Sequence, residues 1–167
     1  MMKRNLILIR HAQSRNVEPG QKDVERELTD SGIQDASRLA RYMYLEEVIP
    51  DVMLTSHAAR AIDTAQLFAD QLKLDQSEIK IDEDLYEASV RTLLGFISNL
   101  DNSLKSVLII GHNPSITHLC EHLSTDDIGF LPPGGMVHLT FNDLLWSQLD
   151  KGTGQLKEIK LPDQISL

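Results

Sequence analysis

Two histidines in this chain each close a run of apolar, β-type residues. Leu6-Ile7-Leu8-Ile9 leads into Arg10-His11, and Val107-Leu108-Ile109-Ile110 leads into Gly111-His112-Asn113-Pro114. A neutral imidazole can attack phosphorus, and a covalent phosphohistidine splits one difficult displacement into two easier ones. Arg10 adjoins the first histidine, and Arg60 comes shortly after a third apolar run, Val52-Met53-Leu54. Guanidinium groups suit phosphoryl oxygens by their bidentate geometry. They also hold down the pKa of a nearby imidazole and stabilise charge on the equatorial oxygens. A leaving group needs a proton, and Glu87, in Asp82-Glu83-Asp84-Leu85-Tyr86-Glu87, is the best carboxylic acid for it. Arg10, His11, Arg60, His112 and Glu87 are thus the candidate catalytic set, with Arg10, Arg60 and His112 holding phosphate.

These residues need a frame that brings distant positions to one edge. The two apolar runs read as strands buried on both faces of a parallel sheet, with Val52-Met53-Leu54 and Ile79-Lys80-Ile81 as further strands. Helical periods lie between them. Ile33, Ala36, Leu39, Ala40 and Met43 follow a Thr29-Asp30-Ser31-Gly32 start. Ala58, Ala61, Ile62, Ala65, Phe68, Ala69 and Leu72 form the cleanest stripe, and Val90, Leu93, Leu94, Ile97 and Leu100 form another. Ile116, Leu119, Cys120 and Leu123 form a last short one, with Asn113 as its N-cap and Pro114 at the first helical position. Thr55-Ser56 is placed to cap the helix that holds Arg60.

Pro132-Pro133-Gly134-Gly135 then breaks the chain. Met136 to Phe141 reads as a strand, and Leu156 to Leu161 as its partner across Gly152-Thr153-Gly154. The polar stretch from Ser14 to Glu27 reads as a surface loop. The expected fold is a three-layer α/β/α sandwich whose central sheet is mostly parallel, with at least one antiparallel strand. Ligands of such sheets bind in the crevice at the carboxyl ends of the strands, where both histidines stand.

The 167 residues fit one domain, expected to run over positions 1–167. With 25 acidic against 16 basic side chains, a formal charge of −9 argues against a nucleic-acid partner. A small cationic pocket remains compatible with it. No apolar run is long enough to span a membrane, and the four residues before Arg10 are too few for a signal peptide. The single cysteine excludes an internal disulfide and a cysteine zinc cluster. Together these imply a cytoplasmic protein.

His118 and His122 lie four apart on one helix face, a spacing that could present two ligands to a metal ion. The order His-Leu-Cys-Glu-His lacks the His-Glu-x-x-His pattern, and both read as ordinary helix histidines. Cys120, on the apolar stripe, reads as core.

Arg10-His11-Ala12-Gln13-Ser14 resembles the Arg-His-Gly signature of the histidine phosphatase superfamily, the phosphoglycerate mutase-like group. Alanine in third place resembles its short branch, the SixA-type phosphohistidine phosphatases. Glu27-Leu28-Thr29-Asp30-Ser31-Gly32 is similar to the family's Leu-Thr-x-x-Gly helix entry, and Thr55-Ser56 through Arg60-Ala61 to Thr64-Ala65 to its Ser-x-x-x-Arg-Ala-x-x-Thr-Ala segment. Gly111-His112-Asn113-Pro114 resembles the second-histidine motif, and Leu131 to Gly135 with Trp146 resembles the SixA-type C-terminal end.

The resemblance implies that His11 is the phosphorylated nucleophile, that Arg10 and Arg60 hold the phosphoryl group and that His112 completes the pocket. It implies no metal or organic cofactor. Leu85-Tyr86-Glu87 fits a Leu-x-Glu pattern, although short members of the branch can lack the acid. The expected activity is removal of phosphate from phosphohistidine in a partner protein. Its alternatives are a phosphatase of small phosphate esters and a non-catalytic phosphate-binding module. No segment between Leu72 and Val107 is long enough for the large lid that a mutase needs to retain its intermediate.

Overall fold

The computed structural model describes residues 2–166. Among these residues six strands and four α-helices follow in the order β1 (Lys3–Arg10), α1 (Asp30–Leu45), β2 (Val52–Thr55), α2 (Ala59–Leu72), β3 (Ile79–Ile81), α3 (Val90–Ser98), β4 (Ser106–Gly111), α4 (Ser115–Ser124), β5 (Met136–Asn142) and β6 (Gln155–Lys160). They form one sheet in the order β3-β2-β4-β1-β5-β6. The first four strands in that order pair in parallel, whereas β1–β5 and β5–β6 are antiparallel. The mostly parallel sheet with late antiparallel strands is the expected one.

The apolar runs decide which strands lie inside. Leu6, Ile7, Leu8 and Ile9 are fully buried, and so are Val107 to Ile110. Alternation sends Leu6 and Leu8 into a core with Leu93 and Ile97 of α3, Leu119 and Leu123 of α4, and Trp146. Ile7 and Ile9 enter the opposite core with Leu39 and Met43 of α1 and Ala61, Ala65 and Phe68 of α2. Helices thus cover both faces of the sheet. None among the described residues is long and apolar enough to cross a membrane.

The helix starts follow local chemistry with some shifts. Thr29 caps α1, its side chain accepting from the Gly32 N–H at 2.9 Å. Gly32 is required by close approach, since a Cβ there would stand 2.2 Å from the Gln13 carbonyl oxygen. The buried face of α1 begins at Gly32, and Ile33 is 41% exposed rather than core. The α2 cap is Ala58, which has no side-chain cap; Ser56 Oγ accepts from the Ala58 N–H at 3.4 Å and makes its shorter contact, 2.8 Å, with His112. Likewise α4 starts at Ser115 with Pro114 at the cap. Asn113, expected at that cap, stands one residue earlier because its Nδ2 donates to the Leu131 carbonyl at 3.0 Å. Its Oδ1 still serves the first turn by accepting from the Thr117 hydroxyl at 2.9 Å.

Register positions the site. β1 pairs with β4 so that Ile9 faces Ile110 and Arg10 faces Gly111. The His11 N–H donates to the Gly111 carbonyl at 3.1 Å, so both histidine segments leave the sheet side by side. β2 ends at the same level, Thr55 facing Ile110. On the other flank the Gly134 N–H reaches the carbonyls of Arg10 and His11, each at 3.0 Å. This straps the Pro132–Gly135 break across the end of β1.

Candidate active site

The carboxyl ends of β1, β2 and β4 open into a cavity of about 350 Å³. Arg10, His11, Arg60, His112 and Glu87 all line it, so the structure brings the five predicted residues together. Volume alone does not single it out. A groove of about 390 Å³ lined by Glu27, Asp30, Asp63 and Asp70 holds neither a histidine nor a cysteine.

His11 is buried, with 8% of its surface exposed. Its Nδ1 lies 2.8 Å from the Ala12 carbonyl oxygen, which only accepts, so Nδ1 carries the proton. Burial first, then the positive charges of Arg60, Arg10 and Arg26, lower the His11 pKa to about 4. The ring is therefore neutral at ordinary pH, with an unprotonated Nε2. Arg60 Nε faces that nitrogen at 3.4 Å.

The His112 ring lies 5.1 Å from that of His11, centroid to centroid, and is tilted 52° to it. Its Nε2 is 2.8 Å from Ser56 Oγ. Burial, followed by His11 and Arg60, lowers its pKa to about 3. Two neutral imidazoles thus stand together beneath cationic side chains, the combination that burial and guanidinium charge select.

Arg10 donates from Nη1 to the Leu131 carbonyl at 3.0 Å, while its buried Nε has no partner among the described residues. A buried N–H without an acceptor is costly, and an incoming anion would relieve it. Arg60, in the first turn of α2, is 5% exposed. Its Nη1 donates to the Asp23 carbonyl oxygen at 2.9 Å and its Nη2 to Asp23 Oδ2 at 3.0 Å. Thr64, one turn along α2, accepts the Ala12 N–H at 3.1 Å and donates to the Arg60 carbonyl at 2.7 Å.

Glu87 stands at the rim, exposed and without a hydrogen bond among the described residues. Its φ is +51°, a left-handed conformation uncommon for residues other than glycine, asparagine and aspartate.

The Ser14–Glu27 stretch is more than a surface loop. A 3₁₀ turn at Asp23–Glu25 carries Asp23 to the cavity, and Arg26 lines it too. Arg26 donates to Asp23 Oδ1 at 3.0 Å, to Ser14 Oγ at 2.8 Å and to the Arg15 carbonyl at 2.8 Å. The Tyr86 hydroxyl donates to Asp23 Oδ2, and the Tyr86 ring meets His112 and His57 edge-on, at 5.5 and 5.4 Å between centroids. Asp23 and Arg26 lie outside every sequence motif, whereas Ser56 and Tyr86 stand inside motifs that gave them no part in the pocket. The one local signal was the Asp23/Arg26 spacing of three, which suits an ion pair on a turn.

Among the described residues no three His, Cys, Asp or Glu side chains gather as a metal site. His122 pairs with Asp150 at 3.2 Å, His118 is exposed, and Cys120 is fully buried.

A family model for the histidine phosphatase superfamily (branch 1) matches residues 6–106. The chain is 35% identical over 94 residues to a 2,3-bisphosphoglycerate-dependent phosphoglycerate mutase of Arthrobacter sp. (strain FB24); the match covers 54% of this chain but only 37% of the mutase. Among solved structures, a candidate phosphohistidine phosphatase SixA from Nakamurella multipartitia superposes with a TM-score of 0.84 at 21% identity, over 97% of this chain and 98% of that one. The protein histidine phosphatase SixA complexed with tungstate gives 0.82 at 21% identity, over 96% and 98%. A candidate SixA from Agrobacterium tumefaciens gives 0.82 at 25% identity, over 95% and 98%.

Proposed function

The chain belongs to the histidine phosphatase superfamily (branch 1), and from that premise we propose a phosphatase that works through a phosphohistidine on His11. Its proposed substrate is phosphohistidine carried by a partner protein. The observation that carries this is the state of His11: Nδ1 pinned to a carbonyl, Nε2 unprotonated, and a guanidinium beside that lone pair.

The chemistry runs in two displacements. The phosphoryl group lies among Arg10, Arg60 and His112, and the unpaired Arg10 Nε donates to one of its oxygens. His11 Nε2 attacks phosphorus as the bond to the substrate's imidazole nitrogen breaks, and that nitrogen takes a proton as it leaves. Water then attacks the phosphorus on His11, releasing inorganic phosphate and restoring the neutral ring. Developing charge on the equatorial oxygens falls against preorganised guanidinium donors in a largely buried site. Glu87 at the rim is the proposed proton carrier for the leaving group, and the scheme uses no metal or organic cofactor.

One feature favours hydrolysis over phosphoryl return: between β3 and β4 this chain has a short 3₁₀ turn and one nine-residue α-helix, α3, and no large lid. The SixA structures named above share the fold.

The test is a turnover panel of a phosphohistidine protein, sugar phosphates and nucleotides, alongside trapping of labelled phosphate. The expected adduct is acid-labile, base-stable and absent from His11→Ala, with phosphohistidine protein the best substrate. Turnover should resist chelators and yield to vanadate, a mimic of pentavalent phosphorus. Binding without any adduct would identify a phosphate-recognition module instead. Preference for esters would make it a small-molecule phosphatase, and loss of turnover on chelation a metal hydrolase.

A further inference from the structure

We propose that Asp23 is a positioning residue: it sets the Arg60 guanidinium against His11 Nε2 and joins Arg60 and Arg26 into one clamp. This rests on the phosphatase mechanism above and goes beyond it, since Asp23 lies in none of the motifs.

The geometry is a two-point hold. Arg60 has five N–H groups in a rigid fork. One faces His11 Nε2 at 3.4 Å; Nη1 and Nη2 go to the carbonyl and the carboxylate of the same residue, Asp23, at 2.9 and 3.0 Å. Two acceptors on one residue fix the plane of the guanidinium as well as its place. The Nε direction follows from that plane. Two further Nη hydrogens remain for a phosphoryl group.

The other Asp23 oxygen takes Arg26 Nη1 at 3.0 Å, and Tyr86 donates to the oxygen shared with Arg60. Tyr86 is itself held in place, its ring lying edge-on to His112 and 5.9 Å below the Arg60 guanidinium. One carboxylate therefore links the Ser14–Glu27 loop, the first turn of α2 and the segment before α3. Among the described residues no other carboxylate lies within ion-pair distance of Arg26 or Arg60. Without Asp23 two like charges face each other and a long side chain regains its rotamers.

This is not an ordinary surface ion pair. The Arg60 side chain is 6% exposed, although that of Asp23 is 45% exposed, so the pair is buried on the arginine side. The Tyr86 hydroxyl and the two guanidinium groups together push the Asp23 carboxyl far below the usual carboxylate range. The Asp23 carboxylate is charged at ordinary pH and both its oxygens are engaged, so it is a poor proton donor. It acts through Arg60.

The experiment compares Asp23→Asn and Tyr86→Phe with the wild-type full chain. The readouts are kcat and KM on a phosphohistidine protein, inhibition by vanadate and by inorganic phosphate, and thermal melting. Misaiming one charged donor by an ångström costs on the order of a hundredfold in rate. For Asp23→Asn, kcat should fall roughly tenfold to a hundredfold and vanadate binding should weaken by a similar factor. KM, phosphate inhibition and melting should stay close to wild type. Tyr86→Phe, which keeps the carboxylate, should show a smaller loss of the same pattern. Unchanged kcat in both variants overturns the proposal, as does equal weakening of vanadate and phosphate, which marks a mere prop for the loop. If Asp23→Asn fails to fold, Tyr86→Phe decides by the same criteria. A wild-type protein with neither turnover nor vanadate binding instead overturns the phosphatase assignment, and this proposal with it.

Discussion

Arg60 Nε and His11 Nε2 face each other across 3.4 Å although 49 positions separate them in the chain. Helix α2 makes the meeting rigid, because Thr64 ties the backbone of Ala12 to that of Arg60. Arg60→Lys keeps the charge and loses the fork. We expect turnover to fall by about a hundredfold or more, with melting little changed. Steady-state kinetics beside a thermal melt checks this, and near-normal turnover would show that charge alone suffices.

His11 and His112 are neutral in the fold at pH values where free imidazole takes a proton. Their pKa values drop to about 4 and about 3, mainly through burial, and buried His138 drops to about 4 for the same first cause. Below the usual 6.5 the unfolded chain binds protons that the folded chain refuses, so stability falls as pH drops from 6.5 toward 4. The slope is up to roughly 1.4 kcal/mol per pH unit for each ring. Above 6.5 these rings contribute no slope. Denaturant melts across that window measure it, and His138→Asn should remove one ring's share.

Ser56 was expected to cap a helix, and the structure gives its hydroxyl to His112 Nε2 at 2.8 Å. Ser56→Ala should lower kcat about tenfold, with a smaller change in KM. Ser56→Thr, which keeps the hydroxyl, should recover part of the loss. An unchanged rate in Ser56→Ala would make the contact incidental.

In the proposed mechanism Glu87 is the group that would separate substrate classes. An ester oxygen leaves poorly without a proton, whereas an imidazole leaving group depends on it less. Glu87→Gln should therefore cost roughly a hundredfold on esters and under about threefold on phosphohistidine. Equal rates on every substrate would remove Glu87 from the mechanism.

Gly32→Ala tests the approach of α1 to the exit of β1, where a Cβ would meet the Gln13 carbonyl at 2.2 Å. Overpacking against backbone should cost about 1–3 kcal/mol or more, read as a lower melting temperature. Because Gln13 follows His11 by two positions, turnover should fall too.

Much of this was legible in the chain because a few residues carry unambiguous signals. Leu6–Ile9 and Val107–Ile110 are short, β-branched-rich and apolar at every position, the pattern of a strand covered on both faces. Each run ends at a histidine, so pairing the two strands also pairs the imidazoles. Local chemistry could not show where side chains go after the backbone turns. Asp23 and Arg26 sit in a polar stretch without period, and their partner Arg60 lies more than thirty residues away. Ser56 has the right position for a cap, but a nearby imidazole competes for its hydroxyl. Ile33 has helical spacing, yet the close contact at Gly32 turns the buried face away from it. The fully buried Arg4, whose guanidinium donates to the carbonyls of Leu144, Asn102 and Leu104, likewise has no local signature.

Strand order has a consequence for how the protein is made. β1 precedes the other five strands, yet its neighbours on either side are β4 and β5, at Ser106–Gly111 and Met136–Asn142. A nascent chain that has emerged only as far as β3 holds His11 but neither flanking strand, so both backbone edges of β1 remain bare. His112, at the exit of β4, and the Gly134 strap before β5 join His11 only once those later segments have emerged.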